Sequence, residues 1–276
     1  TNLETARAAE EAVRAAGATP ATIAVWHGRT TVGLDSAQLE QLARAKDVLK
    51  ASRRDLATAV AHGRAAATTV AATMFLAHQA GIRVFATGGI GGVHFDAARS
   101  FDVSADLVEL SRTPVLVVCA GAKSILDLPA TLEILETLGV PVVGYRTSTL
   151  PAFYVADSGL PVPARADDPA TAARLFAAHT QMGGAGAVLA QPVAEGVALT
   201  NEEVDSAVRT AAGEAATKGI RGGAVTPFLL SRLAELTAGR SLVANQSLIV
   251  ANARLAAEVA AALLTDGSSR TPIRRA

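Results

Sequence analysis

The sequence predicts an α/β fold: a single domain of three layers, α/β/α, around a mainly parallel central sheet. Three observations carry this. The runs 82–87 (IRVFAT), 114–119 (PVLVVC), 140–144 (VPVVG) and 186–190 (GAVLA) are apolar without alternation, as in strands buried on both faces. Helical patterns separate these runs, the alternation that builds parallel sheets. Half of the 276 residues are apolar and 18% are charged, which excludes a disordered chain and supplies a large core.

The elements follow in order. Residues 3–17 read as an amphipathic helix behind Asn2. Short strands follow at 21–26 and 30–34, and Ser36 is expected to cap a helix reaching Ala45. Residues 68–80 form an apolar helix closed by Gly81. The strand at 82–87 runs into Gly88-Gly89-Ile90-Gly91-Gly92. After the strand at 114–119, Asp127 opens a helix with Pro129 in its first turn. Pro161, Pro163 and Pro169 make 155–169 linker-like, too weakly to divide the domain, which is placed at 1–265. Asp168-Pro169 opens a helix to Gly183, and the strand at 186–190 follows. Thr200 and Glu203 form a capping box ahead of a helix over 201–218. Helices at 227–238 and 241–265 close the domain, and 266–276 reads as a flexible Ser/Arg-rich tail.

Lys+Arg and Asp+Glu balance at 25 each, and a nucleic-acid or anionic-membrane partner would normally leave a basic excess. Asn245, Asn252, Arg254 and Glu258 interrupt the apolar stretch 241–265 and argue against a membrane span. The single cysteine, Cys119, excludes a disulfide framework and a cysteine zinc site, and fits a cytoplasmic protein. The polar start at Thr1 is not a signal peptide. It reads as mid-domain helix, so a preceding segment is expected.

Ligands of open α/β sheets bind beyond the carboxyl ends of the strands. The glycine run lies there, but G-x-G-x-x-G begun at Gly89 meets His94 where its third glycine belongs. A tight turn and an anion cradle both stay open. Ala122 precedes Lys123, which removes a Walker loop. Lys123 follows a buried strand in apolar sequence. Desolvation there would free its amine for Schiff-base chemistry with a sugar aldehyde. The bland alternative is a lysine snorkelling to solvent. Asp102, Asp106 and Glu109 cluster in FDVSADLVEL. On a helix begun here, Asp102 and Asp106 would share a face and could hold a hydrated divalent cation. Otherwise Asp102 or Ser104 caps that helix and Glu109 faces solvent. Lys50-Ala51-Ser52-Arg53-Arg54-Asp55 is a phosphate clamp or a solvated face with local ion pairs.

Together these segments resemble the pseudouridine-5'-phosphate glycosidase family, which includes the indigoidine-synthase-A-like proteins. The resemblance rests on ASRRDL (51–56), ATTVAATM (67–74), RVFATGGIGGVH (83–94), FDVSADLVEL (101–110), VVCAGAKSILDLPATLEILETLGVPVVGY (117–145), TPFLLSRLAELT (226–237) and SLVANQSLIVANA (241–253), in order along nearly the whole chain. It implies reversible cleavage of a C–C glycosidic bond, giving uracil and ribose 5-phosphate. A C-glycoside has no heteroatom leaving group, and a lysine imine at C1' supplies the missing electron sink.

By resemblance, Lys123 is that nucleophile and Lys50 contacts the sugar phosphate or helps proton transfer. Val70 meets substrate through its backbone, and Asp102 is the ligand of a manganese ion held largely through water. Ser104, Ala105 and Asp106 surround the ribose phosphate; Thr87 and His94 line the pocket; Asn245 recognises the base. A cytoplasmic homotrimer is also implied. The family's proton-donating glutamate sits in a V-A-L-E-S-T-I-like segment ahead of the stretch that matches here. Phe95 and Gly223 replace a usual arginine and lysine, and the usual N-P-I-P-E reads Gln191-Pro192-Val193-Ala194-Glu195. These departures leave room for a C-glycosynthase joining ribose 5-phosphate to another aromatic aglycone. A catalytically silent oligomeric homologue is the third reading.

Overall fold

The computed structural model describes residues 2–220 and 225–265. Gly223 and the tail 266–276 lie outside the described residues. Helix α1 (Asn2–Ala15) leads into β1 (Ile23–Trp26) and β2 (Arg29–Val32), an antiparallel hairpin. His27 and Gly28 at its tip both have positive φ, the geometry of a two-residue turn that follows strand twist. Helix α2 (Ser36–Arg44) is capped by Asp35, not Ser36: the Asp35 carboxylate accepts from Gln38 N at 2.8 Å, and Gln38 Oε1 accepts from Asp35 N at 3.0 Å. A carboxylate one residue earlier completes the reciprocal box, which serine followed by Leu39 could not.

Two strands absent from the sequence expectation follow. β3 (Leu49–Ala51) and β4 (Ala66–Thr68) pair in parallel, and β4 pairs antiparallel with β1. The first sheet is thus four-stranded and mixed, in the order β2-β1-β4-β3. A 3-10 turn (Arg53–Asp55) and helix α3 (Leu56–Ala61) lie between β3 and β4. The helix expected from residue 68 starts at Val70: α4 (Val70–Gln79) is capped by Thr69, because 66–68 is spent on β4.

The second sheet is the predicted parallel one. β5 (Val84–Ala86), β6 (Leu116–Cys119), β7 (Val142–Tyr145), β8 (Ala164–Ala166) and β9 (Ala187–Ala190) run in the order β5-β6-β9-β7-β8, all parallel. Side chains alternate across it. Val117, Cys119, Val188 and Ala190 enter one core, and Leu116, Val118, Ala187 and Leu189 the other. The first core is shared with α4, α6 (Ala105–Leu110), α7 (Leu128–Thr137), α9 (Asn201–Thr217) and α10 (Val225–Leu236). The second is covered by α8 (Pro169–Gln181) and α11 (Arg240–Thr265). That is the expected α/β/α layering. A one-turn helix, α5 (Ala97–Ser100), precedes α6.

Helix α11 is long and apolar enough to cross a membrane. It packs against α1, α8, β5 and β6, with Leu255, Val259 and Leu263 in the core. It is a core helix, and its Asn252 is turned inward, only 1% exposed.

Candidate active site

The loops leaving β5 and β6 continue side by side beyond their strands. Thr87 N donates to Val118 O, Ala120 N to Gly88 O, Ile90 N to Gly121 O and Lys123 N to Ile90 O, at 2.9–3.2 Å. This ladder fixes Lys123 against the glycine run. The glycines are required by close approach. A Cβ on Gly91 would overlap Ser104 and one on Gly89 would overlap the Phe153 ring. Gly121 has φ +81 and faces the Pro151 carbonyl, so only glycine fits.

Lys123 is largely buried behind this turn, and burial pushes its amine below the usual lysine range. The Asp106 carboxylate pulls it back up, and the Lys50 ammonium pushes it down again. Burial therefore dominates, as the apolar sequence setting suggested. Cys119, at the end of β6, is fully buried and its thiol is pushed up to about 12 by burial. It is core, not nucleophile.

Asp106 is 5% exposed and is a strut. Its Oδ1 accepts from Ala71 N at 2.8 Å and its Oδ2 from Gly91 N at 2.8 Å. It ties the first turn of α4, where Val70 sits, to the glycine run. Ser104 caps α6 and accepts from Asp106 N, and Ala105 is the exposed first residue of α6. Asp102 and Asp106 do not share a helical face: Asp102 precedes α6 and its backbone carbonyl accepts from His94 N. The Asp102 carboxylate stands 3.9 Å from His94 Nε2, and the Asp102 side chain is 38% exposed.

Glu109 is buried, contrary to the solvent-facing alternative. It accepts from Arg53 Nη1 at 2.9 and 2.7 Å and from the Thr113 hydroxyl. Arg53 also stacks on Phe75 at 4.2 Å. The run 50–55 is therefore divided. Arg53 is committed to Glu109, Arg54 lies in solvent beside Asp55, and Lys50 is exposed on β3 within electrostatic reach of Lys123.

Asn245 on α11 sets its Oδ1 against Gly88. Two turns on, Asn252 Nδ2 donates to Thr87 O at 2.8 Å. Sequence reasoning passed over that bond. The seven-residue spacing to Asn245 on one helix was its available signal. It also passed over Ser124, whose hydroxyl oxygen is buried without a hydrogen-bond partner among the described residues. Phe95, just after the glycine run, is 67% exposed. Two surface clefts of about 790 and 750 Å³ lie apart from Lys123, one along α11 and one beside α7.

Among the described residues no three His, Cys, Asp or Glu side chains gather as a closed metal site. Asp102, half-open to solvent beside His94, has the hard oxygen donor for a cation that keeps most of its water.

Lys123 thus meets the glycine run at Ile90, and Asp106 and Ser104 meet it at Gly91, with Val70 next to Ala71 on the Asp106 strut, Lys50 within electrostatic reach of Lys123, and Thr87 and Asn245 at the start of the run. His94 and Asp102 stand at its far end. The sequence matches the family described as indigoidine synthase A like protein over residues 1–262. It is 59% identical to a pseudouridine-5'-phosphate glycosidase of Herpetosiphon aurantiacus over 95% of this chain and 87% of that one. It is 57% identical to one of Methylobacterium nodulans, over 95% and 78%. Among solved structures, the prealnumycin C-glycosynthase AlnA in complex with ribulose 5-phosphate superposes with TM-score 0.91 at 44% identity, covering 97% of this chain and 88% of that one. An indigoidine synthase A-like protein of Thermotoga maritima gives 0.87 at 37%, covering 94% and 85%. Matched over residues 1–262, from its first residue into the last turn of α11, the chain belongs to the indigoidine synthase A-like family.

Proposed function

We propose that this chain is a pseudouridine-5'-phosphate glycosidase, reversibly exchanging the C-nucleotide and water for uracil and ribose 5-phosphate. The observation that carries the reading is Lys123: a desolvated amine at the carboxyl end of a parallel strand, beside one carboxylate. Relatives of that name at 52–59% identity support it.

The chemistry asks for a neutral amine. The Lys123 nitrogen bonds to C1' as the bond from C1' to the ring oxygen breaks and that oxygen takes a proton. The nitrogen lone pair then expels the base, whose carbon takes a proton as the C–C bond breaks, leaving an imine. Water releases ribose 5-phosphate and restores the amine. Burial keeps more of Lys123 unprotonated than a surface lysine at the same pH. Asp106 holds the turn around the ribose phosphate, each of its oxygens accepting a backbone N–H group. Lys50 supplies positive charge for the sugar phosphate, and the Asn245 amide pairs with the donor and acceptor edge of the base. Val70, Thr87, His94, Ser104 and Ala105 complete the substrate surroundings. Asp102 would hold Mn2+, which supplies charge stabilisation when bound. We place the protein in the cytoplasm, as a homotrimer.

The test is reductive trapping. With ribose 5-phosphate, Mn2+ and borohydride, mass spectrometry is expected to find a pentose-phosphate adduct on Lys123. Folded protein without an adduct refutes the lysine reading and favours the silent homologue. The C-glycosynthase alternative draws on the fold of AlnA. It would be favoured if the adduct forms but uracil yields no pseudouridine 5'-phosphate.

A further inference from the structure

Helix α6 faces two ways. Asp106 and Glu109 lie one turn apart on it, on one face. Asp106 holds α4 and the glycine run, which carries the parallel sheet's end of the site. Glu109 holds Arg53, three residues after Lys50 on the edge strand of the mixed sheet. Lys50 and Lys123 thus belong to different sheets. Within the described residues, the short α6 links them through two buried carboxylates.

The Arg53 end of this link is well fixed. The guanidinium contacts both oxygens of a carboxylate that is almost fully buried, and its carbon lies 4.2 Å from the Phe75 ring centroid. Thr113 donates to the same carboxylate. Ser52 N donates to Asp55 Oδ2 at 2.9 Å, and Thr69 N donates to Ala51 O at 2.9 Å. The chain from Lys50 to Arg53 therefore has few ways to shift without breaking a bond.

We propose that Arg53 and Glu109 are positioning residues that set Lys50 in register with Lys123, so that one sugar phosphate spans both. The inference rests on the glycosidase reading, in which Lys50 meets the phosphate and Lys123 meets C1'. Neither Arg53 nor Glu109 touches substrate; both act through Lys50.

Ribitol 5-phosphate separates the two ideas, because it carries the phosphate but no aldehyde and binds without an imine. By calorimetry, Arg53→Met and Glu109→Gln are each expected to raise its Kd about tenfold, the effect of one misplaced charge-assisted hydrogen bond. Arg53→Lys should recover part of the loss. In a Lys50→Met background, Arg53→Met should add nothing further. The pH midpoint of Lys123 trapping should move up in Arg53→Met, since Lys50 is one of the two charges that act on Lys123 and is the one that lowers it. Circular dichroism checks that each variant is folded. An unchanged Kd in Arg53→Met and Glu109→Gln overturns the inference. So does an equal loss with and without Lys50, which would mark a merely structural pair. If wild type binds ribitol 5-phosphate with this coupling but forms no adduct with ribose 5-phosphate, the positioning role stands and the lysine reading falls. If wild type binds neither, both fall.

Discussion

Asp106→Asn tests the reasoning about the site at its most exposed point, because it carries two effects of different origin. The carboxylate accepts one backbone N–H on each oxygen, at 2.8 Å each, and is 5% exposed. An amide offers one oxygen and an NH2 group. One of Ala71 N and Gly91 N must then face a donor. An orphaned buried donor costs about 1–3 kcal/mol, and the surviving bond loses the extra strength of an ionised acceptor, so roughly 2–4 kcal/mol of stability should go. At about 2–4 °C per kcal/mol, Tm should fall by about 4–16 °C. The electrostatic effect has a fixed sign. Asp106 is the influence that raises the Lys123 pKa against burial. Removing its charge should move the pH midpoint of imine trapping down, even as misplacement of the turn slows trapping overall. Differential scanning calorimetry reads the first effect and a trapping series across pH the second. An unchanged Tm would mean that Asp106 is not a strut. A midpoint that moves up would mean that its charge does not act on Lys123 as described.

Two further substitutions probe stability from opposite directions. Lys123→Met should abolish the adduct yet raise Tm, because it removes an amine whose protonated form is disfavoured by burial. The folded pKa lies below the unfolded one, so the ammonium's cost is full below the folded pKa. It fades as pH rises from there towards about 10.4, the unfolded value, and the gap between variant and wild type should narrow over that window. A gap that widens with pH would refute the buried-ammonium account. Gly213→Ala is the control: Gly213 is exposed in the middle of α9, without positive φ and with open space at its Cβ position. It should gain about 0.5–1 kcal/mol, or about 1–4 °C in Tm, with trapping unchanged.

What the sequence disclosed, and what it did not, divides along a physical line. The parallel strands were legible because burial on both faces writes an unbroken apolar run, as in 114–119. The caps Asp127, Asp168 and Thr200 were legible because each bonds within three residues of itself. Lys123 stood out because a lysine directly after such a strand has no apolar reason to be there. By contrast β3, β4 and β8 are three residues each and, unlike β5, lie in no longer apolar run, so they fall short of the four to eight residues over which a strand pattern can be read. The roles of the polar residues were hidden by distance. Asp106 reaches Ala71 across 35 positions, Arg53 reaches Glu109 across 56, and Asn252 reaches Thr87 across 165. A buried carboxylate looks in sequence like any carboxylate on a helix, which is why a solvent-facing Glu109 stayed open as an alternative.

The same distinction says how the site is held. Helix α6 has six residues, too few to persist by its own hydrogen bonds. Leu107 and Leu110 bury it in the first core, but apolar contact is non-directional and would allow it to slide or rotate. Direction comes from Asp106 and Glu109, whose bonds run to the glycine run, to α4 and to the Lys50 segment. Two ionised groups inside a protein are weak sources of stability and strong sources of geometry, because each tolerates only the arrangement that satisfies it. The core therefore brings the sheets together, and the two carboxylates fix where the lysines of those sheets stand. On this account substitutions in the apolar face of α6 should lower Tm and trapping together, whereas substitutions at Arg53 should change phosphate affinity out of proportion to Tm.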